Sequence, residues 1–249
     1  MFSGHYIHLI IFPLAQTTVI AFFKYSLTGS KVRAFIRMGF PPLKTVQKKP
    51  EGLEFWKALG SGAGNGFSIK PDFSTYGLLA VFSSELQAER FIKGKLIEKY
   101  KRDSSSHSCI LMHPVQAHGF WDKEEPFRSS ANMQSGRPVC VITRATIKPR
   151  YAIRFWKDVP GVSMSLEKFD ECIYSKGIGE WPVLMQATFS AWKNVDAMKS
   201  FAYKNREHHE VVKKTRELGW YSEELFARFH PIMQTGTLIP DLNQLSSGN

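Results

Sequence analysis

The residues with the clearest capacity for chemistry are two adjacent histidines, His208 and His209. A neutral imidazole held in an apolar pocket is a natural axial ligand for haem iron. The two cannot chelate together, because neighbouring residues on a helix point about 100° apart. One ring can face inward while the other stays near the surface. The apolar face of the helix expected to carry them is defined by Met198, Phe201, Ala202 and Val212. At helical spacing His209 falls near the centre of that stripe and His208 near its edge. Lys213, Lys214 and Arg216 follow, and suit the carboxylates of a haem, its propionates. Each residue also has a plainer reading: a single inward histidine is more often a satisfied core residue, and the three cations can be solvated.

Other chemistries lack an anchor. There is no Gly-x-Ser-x-Gly elbow and no His-Glu-x-x-His helix, so hydrolase and zinc-protease readings have nothing to rest on. The glycine-rich run Gly60–Gly66 lacks the Gly-Lys-Ser/Thr ending of a phosphate loop and the spacing of a dinucleotide-binding turn. It reads as a hairpin or bulge. Trp156, Trp192, Trp220, Phe201, Phe226 and Phe229 read first as core, and would also line a pocket for a long conjugated hydrocarbon.

The elements that must position these residues repeat. Strands are expected at Val19–Tyr25, Leu53–Leu59, Tyr76–Phe82 and Ser108–Val115, with helices over Lys31–Val46, broken or kinked at Pro41-Pro42, and over Glu85–Arg102. After a polar connector the order starts again. Strands fall at Val139–Ile147, Cys172–Lys176, Val183–Phe189 and Pro231–Thr235, with helices over Arg150–Phe169 and from Asn194 onward. Three coincidences mark a duplication. His113-Pro114 and His230-Pro231 both open a last strand, 230 − 113 = 117 positions apart; Gly60-x-Gly62 and Gly177-x-Gly179 share that spacing; Phe82-Ser83 and Phe189-Ser190 both end a third strand. The expected organisation is an arm over 1–18, a first ferredoxin-like repeat over 19–120, a connector over 121–138, a second repeat with the histidine helix over 139–236, and a tail over 237–249. Two βαββαβ units facing each other give an α+β barrel or sandwich, of the kind built by dimeric α+β-barrel proteins but within one chain, with helices outside and a cavity inside.

Composition sets the outer limits. With 249 residues, 43% of them hydrophobic and 22% charged, the chain reads as globular. A formal net charge of +11 favours an anionic partner or a basic solvated surface. Cys109, Cys140 and Cys172 are too few for a disulfide framework and read as buried free thiols, which suits a reducing cytoplasm. The apolar stretch His8–Phe23 is interrupted by Pro13 and is too short to span a bilayer, and it lacks the basic start and cleavage site of a signal peptide.

Several runs together resemble one family. They are Thr143-Arg144-Ala145-Thr146-Ile147-Lys148-Pro149-Arg150, Arg154-Phe155-Trp156, Gly177-Ile178-Gly179-Glu180, Phe189-Ser190-x-Trp192, Phe201-Ala202-Tyr203 and Gly219-Trp220-Tyr221-x-Glu223-Glu224-Leu225-Phe226-Ala227-Arg228-Phe229. Phe55-Trp56-Lys57, Gly60-Ser61-Gly62 and Tyr76 add to them in the first half. The pattern resembles the spheroidene monooxygenases, the acyclic carotenoid 2-ketolases. The resemblance implies an O2-dependent haem enzyme that oxidises C-2 of an acyclic carotenoid twice, to the ketone, with electrons from a reduced ferredoxin. The family's histidine aligns best with His208, one position from the geometric choice, so both stay named. Such a substrate lives in the bilayer, which implies a cytoplasmic protein able to dock peripherally on an anionic inner-membrane surface. Two rivals remain within the fold: a cofactor-free α+β-barrel monooxygenase and a lipophile-binding protein without catalysis. Tandem RNA-recognition modules share the element order, but the aliphatic third strands lack their stacking rings, so no nucleic-acid partner is expected.

Overall fold

The computed structural model describes residues 15–39, 49–64, 68–157, 166, 169–181, 183–204, 215 and 217–242. Among these residues there are eight strands: β1 (Thr17–Lys24), β2 (Leu53–Gly62), β3 (Pro71–Phe82), β4 (Ser106–Gly119), β5 (Val139–Ile147), β6 (Cys172–Trp181), β7 (Met185–Trp192) and β8 (Tyr221–Gly236). The helices are α1 (Thr28–Ala34), which continues as a π-helical turn over Phe35–Gly39, then α2 (Glu85–Ile92), α3 (Lys95–Asp103), α4 (152–157) and α5 (Val195–Lys204). All strand pairs are antiparallel, and they close into a barrel in the order β1-β3-β2-β6-β7-β5-β8-β4. Each half contributes four neighbouring strands, so the fold is the duplicated α+β barrel that the sequence implies.

The repeat spacing is visible in the register. His113 pairs with His230 across β4 and β8, and Ser61 pairs with Ile178 across β2 and β6. Both pairs are 117 positions apart (230 − 113 and 178 − 61). Equivalent residues therefore meet at both seams between the halves, as a two-fold relation requires. The Gly60-Ser61 run is strand at one of those seams, which accounts for its glycines without a phosphate. Gly179 is required there, since a Cβ would lie 2.5 Å from the Met185 carbonyl oxygen.

The main correction concerns β8. The sequence places the last strand at Pro231–Thr235, but it begins at Tyr221. Leu225, Ala227 and Phe229 turn inward, while Ser222, Glu224, Phe226 and Arg228 alternate with them. Inward-facing Glu223 hides this periodicity. It makes a hydrogen-bonded ion pair with Arg144, which is only 4% exposed. Around this pair the barrel is closed by Trp121, whose indole N–H donates to Glu180 at 2.7 Å and whose ring lies 5.5 Å from the Arg144 guanidinium. Lys57 pairs with Asp122 and Glu180. Glu223 also accepts from the backbone N–H groups of Asp122 and Lys123, at 3.0 and 2.8 Å, and both of those residues have positive φ. These groups form an electrostatic plug in which each charge has a partner.

Inside the barrel the side chains meet. Phe22, Tyr174 and Phe189 form a triad with centroids 5.6, 5.8 and 6.3 Å apart, and Phe127 packs edge-on against Phe229 at 5.0 Å. The hollow expected between the two sheets is occupied by core, so Phe229 is a barrel residue rather than part of a ligand pocket. Outside, the first repeat is sealed. Val19, Phe23, Tyr76, Leu78, Phe82 and Leu111 pack against Ala88, Ile92, Ile97 and Tyr100 of α2 and α3. The single helix expected over Glu85–Arg102 is divided at Lys93-Gly94, which lets both pieces follow the curved sheet.

Candidate functional site on the outer face of the second repeat

Strand alternation decides what the second repeat shows to the outside. In β7, Ala187, Phe189 and Ala191 point into the barrel, so Gln186, Thr188, Ser190 and Trp192 point out. Register then assembles a floor. Thr188 lies between Gly177 of β6 and Thr143 of β5; Ser190 lies between Ser175 and Val141; Gln186 lies between Gly179 and Ala145. The centre of this face is thus built of glycine, serine, threonine and alanine. Three strands about 4.8 Å apart make it roughly 10 Å wide, enough to seat a flat ring system.

Large side chains stand at its two ends. At one end Trp192, Val139, Val141, Met198 and Phe201 form a cluster with Phe226 against it. The rings of Trp192 and Phe201 lie 5.3 Å apart. At the other end Trp220, Phe155 and Ile147 pack together, with Trp156 donating its indole N–H to the Val183 carbonyl at 3.0 Å. Helix α5 crosses the first end. It starts at Asn194, whose side-chain oxygen accepts from the Ala197 N–H at 2.8 Å, and Asp196 complements the dipole in its first turn. Its buried Met198 and Phe201 are the stripe residues read from the sequence.

The floor carries unfinished polar business. Thr188 is 7% exposed and Ser175 6%, yet among the described residues the hydroxyl of neither has a hydrogen-bond partner. Ser190, beside them, is satisfied by the Trp192 indole N–H at 2.9 Å. A buried hydroxyl without a partner costs about 1–3 kcal/mol. Two of them lie on one small-residue surface. Arg228, on the β8 side, adds a third. Its guanidinium lies 5.0 Å from the Phe226 ring and donates to Gln116 at 3.0 Å, but its buried Nε has no partner among the described residues. Burial lowers the pKa of this guanidinium, so an anion beside it would be favoured. The face has the small-residue centre, aromatic ends and buried cation that a flat, largely apolar group with an anionic edge would need.

His208, His209, Lys213 and Arg216, the ligand and propionate candidates, lie outside the described residues, as does Lys214. Of the described histidines, His230 has both ring nitrogens engaged: Nε2 accepts from the Gln134 N–H at 2.8 Å, and Nδ1 donates to the Pro138 carbonyl at 3.0 Å. His118 stacks on Phe226 with centroids 5.4 Å apart. Thr188, Ser175 and Arg228 are the residues that reading by motif missed. Arg228 stood inside the most specific run of the resemblance, but no role attached to it, because its facing depends on where β8 begins. Burial pushes the thiols of Cys109 and Cys172 up to about 11 and about 12 and that of Cys140 in the same direction, which disfavours their thiolates.

Comparisons with known proteins bear on the family and the fold. No protein-family model matches the chain. Among solved structures, an aldoxime dehydratase superposes with a TM-score of 0.58 over 90% of this chain and 84% of its own, at 8% identity, which speaks for the fold alone. Among curated proteins, the spheroidene monooxygenase of Cereibacter sphaeroides is 35% identical over 178 residues, 71% of this chain, and the match spans 55% of that longer protein. The spheroidene monooxygenase of Rhodobacter capsulatus is 34% identical over 188 residues, 74% of this chain and 78% of the relative. At that identity and coverage, the chain belongs to the spheroidene monooxygenase family.

Proposed function

We propose that the protein is an O2-dependent monooxygenase that introduces a hydroxyl and then a keto group at C-2 of an acyclic carotenoid, using haem and electrons from a reduced ferredoxin. The observation that carries the reading is the joint one: a chain of this family presents, on its second repeat, a flat small-residue floor with buried unpartnered hydroxyls. The iron would be held by His208 or His209. Lys213 and Arg216, together with Arg228, would answer the propionates. Bound haem supplies the oxygen activation that side chains lack, since an aliphatic C–H bond has no proton a side-chain base can remove. The chain's own part is physical. Glycine and alanine on the floor let a planar group lie close to the backbone. The hydroxyls of Thr188 and Ser175 would lie beneath its plane. The aromatic ends exclude water and give the polyene an apolar surface to lie along. Two hydroxylations at one carbon with loss of water leave the ketone.

Expression in bacteria that accumulate acyclic carotenoids tests this, with mass analysis of the extracted pigments. Products with added oxygen at C-2 are expected, and unchanged pigments would contradict the proposal. His208→Ala and His209→Ala, made singly, should lose haem in one case only; haem retained by both would overturn the ligand assignment.

A further inference from the structure

The first repeat seals its sheet but leaves its first helix unusually greasy on the outside. Val32 and Ile36 are 53% and 63% exposed, one helical turn apart. Phe35, between them, reaches the ring of Phe73 at 5.9 Å. Phe73 and Ile69, on the hairpin joining β2 to β3, are themselves 56% and 53% exposed, and Leu27 ahead of α1 is 76% exposed. Six large apolar side chains thus break the surface on adjoining segments of one side of the barrel, an arrangement that marks a docking site.

The acids around them are paired, Arg33 of α1 with Asp103 at 3.5 Å among them, and the unpaired charge is basic. Lys24, Lys31 and Lys70 make no ion pair among the described residues. Asp72, the acid nearest in sequence to Phe73, is held by Lys176 at 3.0 Å and has its pKa lowered overall, with Ser74 and Lys176 outweighing the opposing effect of burial. The sequence sharpens the asymmetry. The first 50 residues contain seven of the 33 lysines and arginines and none of the 22 acids. Among the described residues no helix is long and apolar enough to cross a membrane.

We infer that the face formed by α1, its π-helical continuation and the β2–β3 hairpin docks on an anionic lipid bilayer, with Leu27, Val32, Ile36 and Phe73 entering the interface and Lys24, Lys31 and Lys70 at the headgroups. Apolar side chains rimmed by unpaired lysines match that surface chemically, whereas an acidic protein partner would leave the apolar knuckle without a medium to enter. The inference deepens the proposed function by giving a bilayer-dissolved substrate a route to the enzyme. Its test uses vesicles without carotenoid, so the two readings fail separately.

The test is sedimentation of the full chain with vesicles of phosphatidylcholine alone and of equimolar phosphatidylcholine and phosphatidylglycerol. Binding is expected to the mixed vesicles, weakened by salt and absent with phosphatidylcholine alone. Val32→Ser/Ile36→Ser and Lys31→Glu/Lys70→Glu should each weaken it about tenfold or more, since each lysine at an anionic surface is worth about 1 kcal/mol. Unchanged circular dichroism and thermal melting will show that these exposed substitutions leave the fold intact. Wild-type binding by both variants, or no binding by the parent protein, would overturn the inference. So would a shift from dimer to monomer in the Val32→Ser/Ile36→Ser variant, which would assign the face to self-association.

Discussion

The two outer faces of the barrel come from copies of one unit, and they are built to opposite ends. On the first repeat, Ala21 pairs with Leu78 and Phe23 with Tyr76. On the second, Val141 pairs with Ser190 and Thr143 with Thr188. The first face meets its helices with large rings and branched chains, and Phe23 is fully buried against Tyr100 at 5.5 Å. The second has small residues at its centre and large ones only at its ends. The first face does carry one buried unpartnered phenol, Tyr76, whose pKa burial pushes up to about 12. Its ring still fills space, however, as the hydroxyls of Thr188 and Ser175 do not. The lesson is a division of labour after duplication. One copy fills its outer face with large side chains, and the other keeps small residues at the centre of its own, where we propose that the ligand lies.

Substitutions can break or sharpen this contrast. The largest effect is expected on the sealed face: Phe23→Ala should cost about 3–5 kcal/mol in urea unfolding, through lost burial and the cavity left behind. Leu78→Ala should follow at about 2–5 kcal/mol. A loss of under about 1 kcal/mol in both would show that the first face is not the stabilising one. Glu223 gives an intermediate effect at the barrel plug. Hydrogen bonds from Lys123 and Asp122 and the charge of Arg144 outweigh burial and lower its pKa in the folded state. A lowered carboxyl contributes stability that is present above the ordinary glutamate range and lost as the pH falls through the folded value. Glu223→Gln should therefore flatten the acid limb of the stability curve, and an unchanged limb would remove the plug from the electrostatics of folding. The smallest effect belongs to the floor. Thr188→Val keeps the shape and removes an unpartnered hydroxyl, so stability without ligand should stay within about 0.5 kcal/mol or rise. A loss of more than about 1 kcal/mol would mean the hydroxyl already has a partner.

How much of this was legible in the letters depends on the force that sets each feature. β5 appears at Val139–Ile147 as read, because a run of β-branched residues beside Pro138 leaves little choice. The duplication was legible because glycines and His-Pro pairs sit where the two copies meet, at Ser61–Ile178 and His113–His230. β8 was not, since Glu223 and Arg228 look like surface residues until Arg144 and Phe226 are seen opposite and beside them. Which residues share the outer face of the second repeat was harder to read. Strands apolar on both faces do not reveal which face lines the barrel, and only register brings Ser175, Thr143 and Thr188 onto one surface. Phe226 and Phe229 look alike in sequence, yet one borders the outer face and the other fills the interior.

The central claim, that the group needed for chemistry sits on the small-residue floor of the second repeat, is tested most directly by the absorption spectrum after haem reconstitution. The parent protein should show a Soret band. Thr188→Phe, which fills the floor as Phe23 and Tyr76 fill the other face, should lose that band while keeping its circular dichroism. A full Soret band in folded Thr188→Phe would contradict the claim and move the cofactor elsewhere.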